Sequence, residues 1–92
     1  MVSFEELASY VCFYGGSSYE ELDELERNYF EGFRVSQDER LLKKSRDFCL
    51  IKQMLLDGVE FIKHEISGGF YYEPKVGWNI LNEYINDGYL PH

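Results

Sequence analysis

One segment decides the fold, QDERLLKKSRDFCLIKQMLLDG at residues 37–58. Its apolar side chains form two rows at heptad spacing: Leu41, Phe48 and Leu55, and Leu42, Cys49 and Leu56. Three further apolar side chains fall on other faces: Leu50, Ile51 and Met54. The pattern predicts a helix from about Gln37 to Asp57 whose second half is buried nearly all round, which makes it the central helix.

Three Ser-x-x-acid motifs predict helix starts in the first half of the chain: at Ser3, Ser18 and Ser36. At each, the serine hydroxyl caps a free backbone N–H and the carboxylate favours the positive end of the helix dipole. The first helix should stop at Gly15-Gly16. The second is predicted from about Tyr19 to Glu31, with Gly32 just after its end.

The last third of the chain leaves two alternatives open around residues 59–73. β-branched and aromatic residues on both sides of a glycine-rich turn favour a short hairpin, but a helical turn up to Ile66 fits almost as well. A last helix is predicted after Pro74, which is acceptable in a first helical turn, and should stop at Gly88. We expect residues 89–92 to be loose or docked by their apolar side chains.

Length and composition indicate one small acidic domain spanning residues 1–92, mainly α with α+β possible, built from about four helices and at most a short two-stranded hairpin. A chain of 92 residues buries about 65% of the surface that it exposes when unfolded. No apolar run reaches the length of a membrane span, and the start MVSFEE lacks the features of a signal peptide, so we expect a cytoplasmic protein without a membrane partner.

Charge carries most of the functional information. The formal net charge of −8 argues against direct nucleic-acid binding and favours a basic protein partner. Residues 1–33 carry −7, residues 34–56 carry +3 and residues 57–92 carry −4. The basic cluster from Arg40 to Arg46 lies among acids, so we interpret it as paired or solvated.

On the second helix Glu20, Glu24 and Glu31 fall within about 40° of one another, and Glu20 and Glu24 lie about 6 Å apart along the axis, comparable to the step between phosphates. Seven carboxylates are therefore predicted to form a partner-binding, phosphate-mimicking surface: Glu5, Glu6, Glu20, Glu21, Asp23, Glu24 and Glu31.

A surface that only keeps the protein soluble is the alternative interpretation, because small domains often carry such a charge and acids are ordinary in first helical turns. Like charges at i, i+4 cost helix stability, however, and solubility alone would intersperse lysines. Eight Tyr and seven Phe also exceed what so small a core can hold. Some of them, such as Tyr10, Phe13 or Tyr72, should reach the surface and favour a protein interface.

No residue set predicts catalysis, a metal or a cofactor. His64 and His92 have no second ligand at metal spacing, and Cys12 and Cys49 fall on apolar helical stripes, where thiols are core residues. We therefore expect a protein that is not an enzyme and binds no cofactor or metal.

The opening MVSFEEL, the segment Ser18–Glu26, the size and the acidic helices resemble the small anti-restriction DNA-mimic proteins of tailed phages. That resemblance implies an inhibitor that occupies the DNA site of a host restriction nuclease or nucleoid protein in the host cytoplasm. The rival hypothesis is a bacteriocin-type immunity protein or other acidic protein-binding module. Surplus aromatics and the apolar central helix also suggest a homodimer, with a compact monomer as the alternative.

Overall fold

The computed structural model describes residues 2–86. Within them lie four helices and one two-stranded sheet: α1 (Phe4–Tyr14), α2 (Tyr19–Ser36), α3 (Glu39–Leu56), β1 (Phe61–Ile66), β2 (Gly69–Pro74) and α4 (Ile80–Asn86). The predicted class, mainly α with a short hairpin, is confirmed. Within this part of the chain, no helix combines the length and apolar character needed to cross a membrane.

The first two helix starts are confirmed, and each is held by its serine. The Ser3 hydroxyl accepts the Glu6 N–H at 3.1 Å, and α1 ends at Gly15. Ser18 begins α2 with a full capping box, in which its hydroxyl accepts the Glu21 N–H and the Glu21 carboxylate accepts the Ser18 N–H.

The predicted boundary between the second and third helices is wrong. α2 continues through Gly32 to Ser36, whose hydroxyl donates to the Gly32 carbonyl at 2.7 Å. Gln37 ends the helix in the left-handed conformation with φ of 60°, and Asp38, not Ser36, caps α3. Gly32 leaves room for α3 at this helical position: a Cβ there would lie 3.1 Å from the Leu41 side chain.

The second half of α3 is buried on most of its faces, as predicted, but Leu56, a member of one predicted apolar row, is 62% exposed. Its buried apolar residues are Phe48, Cys49, Leu50, Ile51 and Met54. The Phe48 ring packs at the centre of the core, with ring centroids 5.6 Å from Tyr29 on α2 and 5.1 Å from Tyr10 on α1. α3 is therefore the central element onto which the other helices pack.

The hairpin alternative is the correct one for residues 59–73. β1 and β2 pair antiparallel, with Phe61 opposite Pro74 and Ile66 opposite Gly69. Pro74 is buried in the strand, so the prediction that it begins the last helix is wrong, and α4 begins at Ile80. The predicted helix end at Gly88 and the tail at 89–92 lie outside the described residues.

The hairpin is fixed to the helices through Tyr72. This side chain lies against Gly15 and Gly16, at the turn between α1 and α2. A Cβ at Gly15 would lie 2.6 Å from the Tyr72 Cβ, so the glycines permit this close approach. Of the three aromatics expected at the surface, Phe13 is exposed, whereas Tyr10 and Tyr72 are half-buried.

Candidate partner-binding surface

Capping and packing place the seven predicted carboxylates in different environments. Glu5, Glu20, Glu21, Glu24 and Glu31 are exposed, whereas Glu6 and Asp23 are half-buried. The structure brings Glu20, Glu21 and Glu24 together on the first two turns of α2, while Glu5 and Glu6 belong to α1.

Asp23 faces the α2–α3 interface. Its carboxylate lies 2.8 Å from Lys52 Nζ and 3.1 Å from Arg27 Nε. Lys52 also contacts Glu26 at 2.7 Å, which closes a buried cluster of one cation and two acids. The hydrogen bond from Lys52 lowers the pKa of Asp23. The negative charge of Asp23 is therefore compensated within the chain.

Lys52 is the basis of this cluster. Burial alone lowers the pKa of Lys52, but its hydrogen bonds to Asp23 and Glu26 outweigh burial and hold that pKa above its usual value. Its ammonium group also lies 5.2 Å from the Tyr19 ring centroid. Since these partners all belong to α2, the cluster fixes the first half of α2 against α3.

Glu21 and Glu31 are exposed but have partners of their own. The hydrogen bond from the Ser18 N–H lowers the pKa of Glu21, whose carboxylate completes the capping box. Glu31 pairs with Arg34 at 2.9 Å. The unpredicted extension of α2 beyond Gly32 places Arg34 on the same face, so bases as well as acids line the second half of the helix.

Glu6 points towards Asp47, a residue that sequence reasoning missed. Asp47 lies on α3 with 1% of its surface exposed. Among residues 2–86 no N–H or hydroxyl group donates to its oxygens, and its carboxyl lies close enough to that of Glu6 for the two to share a proton. Burial, reinforced by Glu6, raises the pKa of Asp47 well above its usual range. The pair therefore holds a proton at neutral pH.

A sequence signal for Asp47 does exist. It precedes Leu50, Ile51 and Met54 by three, four and seven residues, the spacing of one helical stripe. This stripe is buried in the structure. The Lys52 cluster had no such signal, because Lys52 and Asp23 lie 29 positions apart.

Three of the seven carboxylates are exposed without compensation. Within residues 2–86, Glu5, Glu20 and Glu24 have no ion-pair partner. Glu20 and Glu24 lie one helical turn apart on α2. We call Glu20, Glu21 and Glu24 the acidic surface.

Two exposed aromatic side chains flank the turn that leads into the acidic surface. Phe13, near the end of α1, is 75% exposed, and Tyr19, the first residue of α2, is 40% exposed. Aromatic side chains beside charged groups are typical of protein interfaces.

Cys49 is buried in the core as predicted, whereas Cys12 is only half-buried. Burial raises the pKa of the Cys49 thiol to about 11 and also raises that of Cys12. Such thiols are poor nucleophiles and metal ligands at neutral pH. Among residues 2–86, no group of three or more His, Cys, Asp or Glu side chains is arranged to hold a metal ion.

Comparison of the chain with protein-family profiles, with curated proteins and with solved structures found no match.

Proposed function

We propose that this protein is an acidic inhibitor that binds a basic DNA-binding protein, such as a restriction nuclease or a nucleoid protein, at the site that otherwise holds DNA. The observation that carries the proposal is the pair of exposed, uncompensated carboxylates of Glu20 and Glu24 on one face of α2. Their separation of about 6 Å along the helix axis is close to the spacing of phosphates on one strand.

The chemistry of this surface suits residues that bind phosphate. Carboxylates form charge-assisted hydrogen bonds with Arg and Lys, as phosphates do. The acidic surface contains fewer carboxylates than the seven that were predicted. Asp23 and Glu31, for example, are paired with Arg27 and Arg34. Since Glu20 and Glu24 are exposed, their attraction for a partner is screened within about 8 Å at physiological ionic strength.

A second candidate function is an acidic module of the immunity-protein type that binds one toxin. The exposed rings of Phe13 and Tyr19, on either side of the turn that leads into the acidic surface, favour it. A phosphate-binding groove has no need of apolar anchors, whereas a few aromatic side chains often carry most of the energy of a protein interface.

Displacement from DNA tests the proposal. Duplex DNA is immobilised, loaded with proteins from a bacterial lysate at low salt, and eluted with increasing concentrations of the parent protein or of the double variant E20Q/E24Q. The matched control is E39Q/E83Q, which removes two exposed carboxylates from α3 and α4. We expect the parent and the control to release at least one DNA-bound protein, and E20Q/E24Q to require about tenfold more protein, equivalent to about 1.4 kcal/mol.

Two results would contradict DNA mimicry. One is that the parent releases no DNA-bound protein. The other is that E20Q/E24Q releases it as well as the control does. Capture of a protein that keeps its affinity for DNA, with capture lost in F13A/Y19A, would instead support the immunity-type module.

A further inference from the structure

β1 has a free edge with a defined hydrogen-bonding pattern. Beyond the last strand pair, the Lys75 N–H donates to the Glu60 carbonyl at 2.8 Å, and the register places Ile62 opposite Glu73. Hydrogen-bonded pairs alternate along an antiparallel ladder, so Ile62 and His64 bond to β2. The backbone groups of Lys63 and Glu65 therefore point away from β2.

No described element covers this edge. The hairpin is attached to the helices through Tyr72 of β2, which meets the turn between α1 and α2, and through Phe61 at the start of β1, which packs against the core. Within residues 2–86 the backbone groups of Lys63 and Glu65 have no hydrogen-bond partner on the outer side. Ile62 and Ile66 are 39% and 56% exposed, an unusual degree of exposure for two isoleucines in a six-residue strand. An exposed edge of this kind is a template for another strand.

The edge is chemically complementary to itself. Its sequence is Ile62-Lys63-His64-Glu65-Ile66, with a base and an acid at equal distances from the central histidine and an isoleucine at each end. When two copies run antiparallel about His64, Lys63 of each lies opposite Glu65 of the other, and Ile62 of each lies opposite Ile66 of the other.

We propose that β1 pairs antiparallel with β1 of a second copy of this chain, centred on His64, so that two hairpins form one four-stranded sheet. In this arrangement Lys63 of each copy exchanges backbone hydrogen bonds with Glu65 of the other copy, because the backbone groups of both residues point to the free edge. The isoleucine pairs fall at the non-hydrogen-bonded positions, where side chains approach most closely. Both kinds of cross-strand pair stabilise a sheet.

The neighbouring registers are disfavoured by charge. Because outward-pointing backbone groups alternate along β1, the two strands could also pair about a two-fold axis at Lys63 or at Glu65. The first places two lysines directly opposite each other and the second places two glutamates there, and like charges at opposed positions destabilise a sheet. The register centred on His64 opposes unlike charges at both positions.

The short edge sets the strength of the dimer. Interfaces that bury less than about 1,200 Å² in total are typical of transient association. We therefore expect dimerisation between about 10 µM and 1 mM, which corresponds to about 4–7 kcal/mol of binding free energy.

Charge exchange across the proposed axis provides the test. Sedimentation equilibrium from 10 µM to 1 mM is measured for the parent, for K63E, for E65K, for their equimolar mixture and for K63E/E65K. In a dimer of either single variant, residues 63 and 65 carry the same charge at both places where they lie opposite each other. We therefore expect its dimerisation to weaken by at least tenfold. The mixture opposes unlike charges, and so does the double variant with itself, so both should regain dimerisation. Far-UV circular dichroism checks that each variant is folded.

The double variant is specific to the register. If the axis lay at Lys63 or Glu65, exchange of the two charges would again oppose like charges and K63E/E65K would not recover. K63E also removes a contact within the chain, because Lys63 Nζ lies 4.3 Å from the centroid of the Phe70 ring. E65K leaves that contact in place. If both single variants weaken dimerisation equally, loss of this contact is not the cause. A parent that is monomeric at 1 mM, a dimer insensitive to both single changes, or a double variant without recovery would each overturn the proposal.

Discussion

The buried Asp47 carboxyl should make the free energy of unfolding decrease as the pH rises. Asp47 is 1% exposed, and burial together with the contact to Glu6 raises its pKa well above its usual range. In the unfolded chain an aspartate titrates near pH 3.9. Above that pH the folded state therefore binds one proton that the unfolded state has released. The stabilisation is complete below about pH 4 and is lost as the pH rises towards the folded-state pKa.

The magnitude follows from the linkage between protons and folding. One extra proton in the folded state changes the free energy of unfolding by about 1.4 kcal/mol per pH unit, which gives a loss of about 3 kcal/mol between pH 5 and pH 7. Asp47→Asn is nearly isosteric, carries no titrating proton, and can donate its amide hydrogen to Glu6. We expect the free energy of unfolding of D47N to stay nearly constant between pH 5 and pH 7, so that its stability relative to the parent rises by about 3 kcal/mol over this range.

Urea denaturation at pH 5, 6, 7 and 8, followed by circular dichroism, measures this difference. The control is D38N on the same helix. Asp38 is a half-buried N-cap whose pKa is lowered by its hydrogen bonds with Arg40, and asparagine caps helices as well as aspartate does. The free energy of unfolding of D38N should therefore change with pH in the same way as that of the parent between pH 5 and pH 8. A D47N curve that is also parallel to the parent between pH 5 and pH 7 would refute the reasoning.

Three further substitutions test the packing around the candidate surface by urea denaturation at pH 7. Lys52→Met leaves the Glu26 carboxylate without its cation and leaves Asp23 with Arg27 alone, and we expect a loss of about 3–5 kcal/mol; a loss below about 1 kcal/mol would contradict the role of the cluster. Gly15→Ala should cost about 1–3 kcal/mol, and more than Gly16→Ala, because its new methyl group meets the Tyr72 Cβ rather than the movable end of the ring; the reverse order would contradict this contact. Ser18→Ala removes the capping box of α2 and should cost about 1 kcal/mol, while Ser17→Ala at the preceding position should cost less.

Local signals predicted the helices well where a single residue fixes the boundary. Ser3 and Ser18 begin their helices through hydrogen bonds to residues three positions away, an interaction that is visible in the sequence. Gly32 and Pro74 misled the prediction because tertiary contacts overrode their local preference. Gly32 stays helical where α3 passes close to it, and Pro74 is buried opposite Phe61 in the hairpin. Neither neighbour can be found from local patterns.

The sequence could predict only those features of the candidate surface that follow from the periodicity of a single helix. The wheel of α2 correctly placed Glu20 and Glu24 on the solvent side. It could not show that Asp23 faces Lys52, because that contact joins residues 29 positions apart. Nor could it place Arg34 beside Glu31, since the predicted helix ended too early.

α3 determines which negative charges remain available to a partner. Lys52 compensates Asp23 and Glu26, and the buried Asp47 carboxyl holds a proton at neutral pH instead of adding a charge. Since the formal net charge of −8 already counts Lys52, only the proton on Asp47 changes it, from −8 to −7. Of the exposed carboxylates within residues 2–86 that have no ion-pair partner, Glu20 and Glu24 lie one helical turn apart at the start of α2, beside the exposed Tyr19, while others lie on other elements, at Glu5, Glu39, Glu65 and Glu83. Under the proposed function, a partner of this surface would gain binding energy from apolar contacts as well as from ion pairs, so truncation of Phe13 and Tyr19 is as informative a test as neutralisation of Glu20 and Glu24.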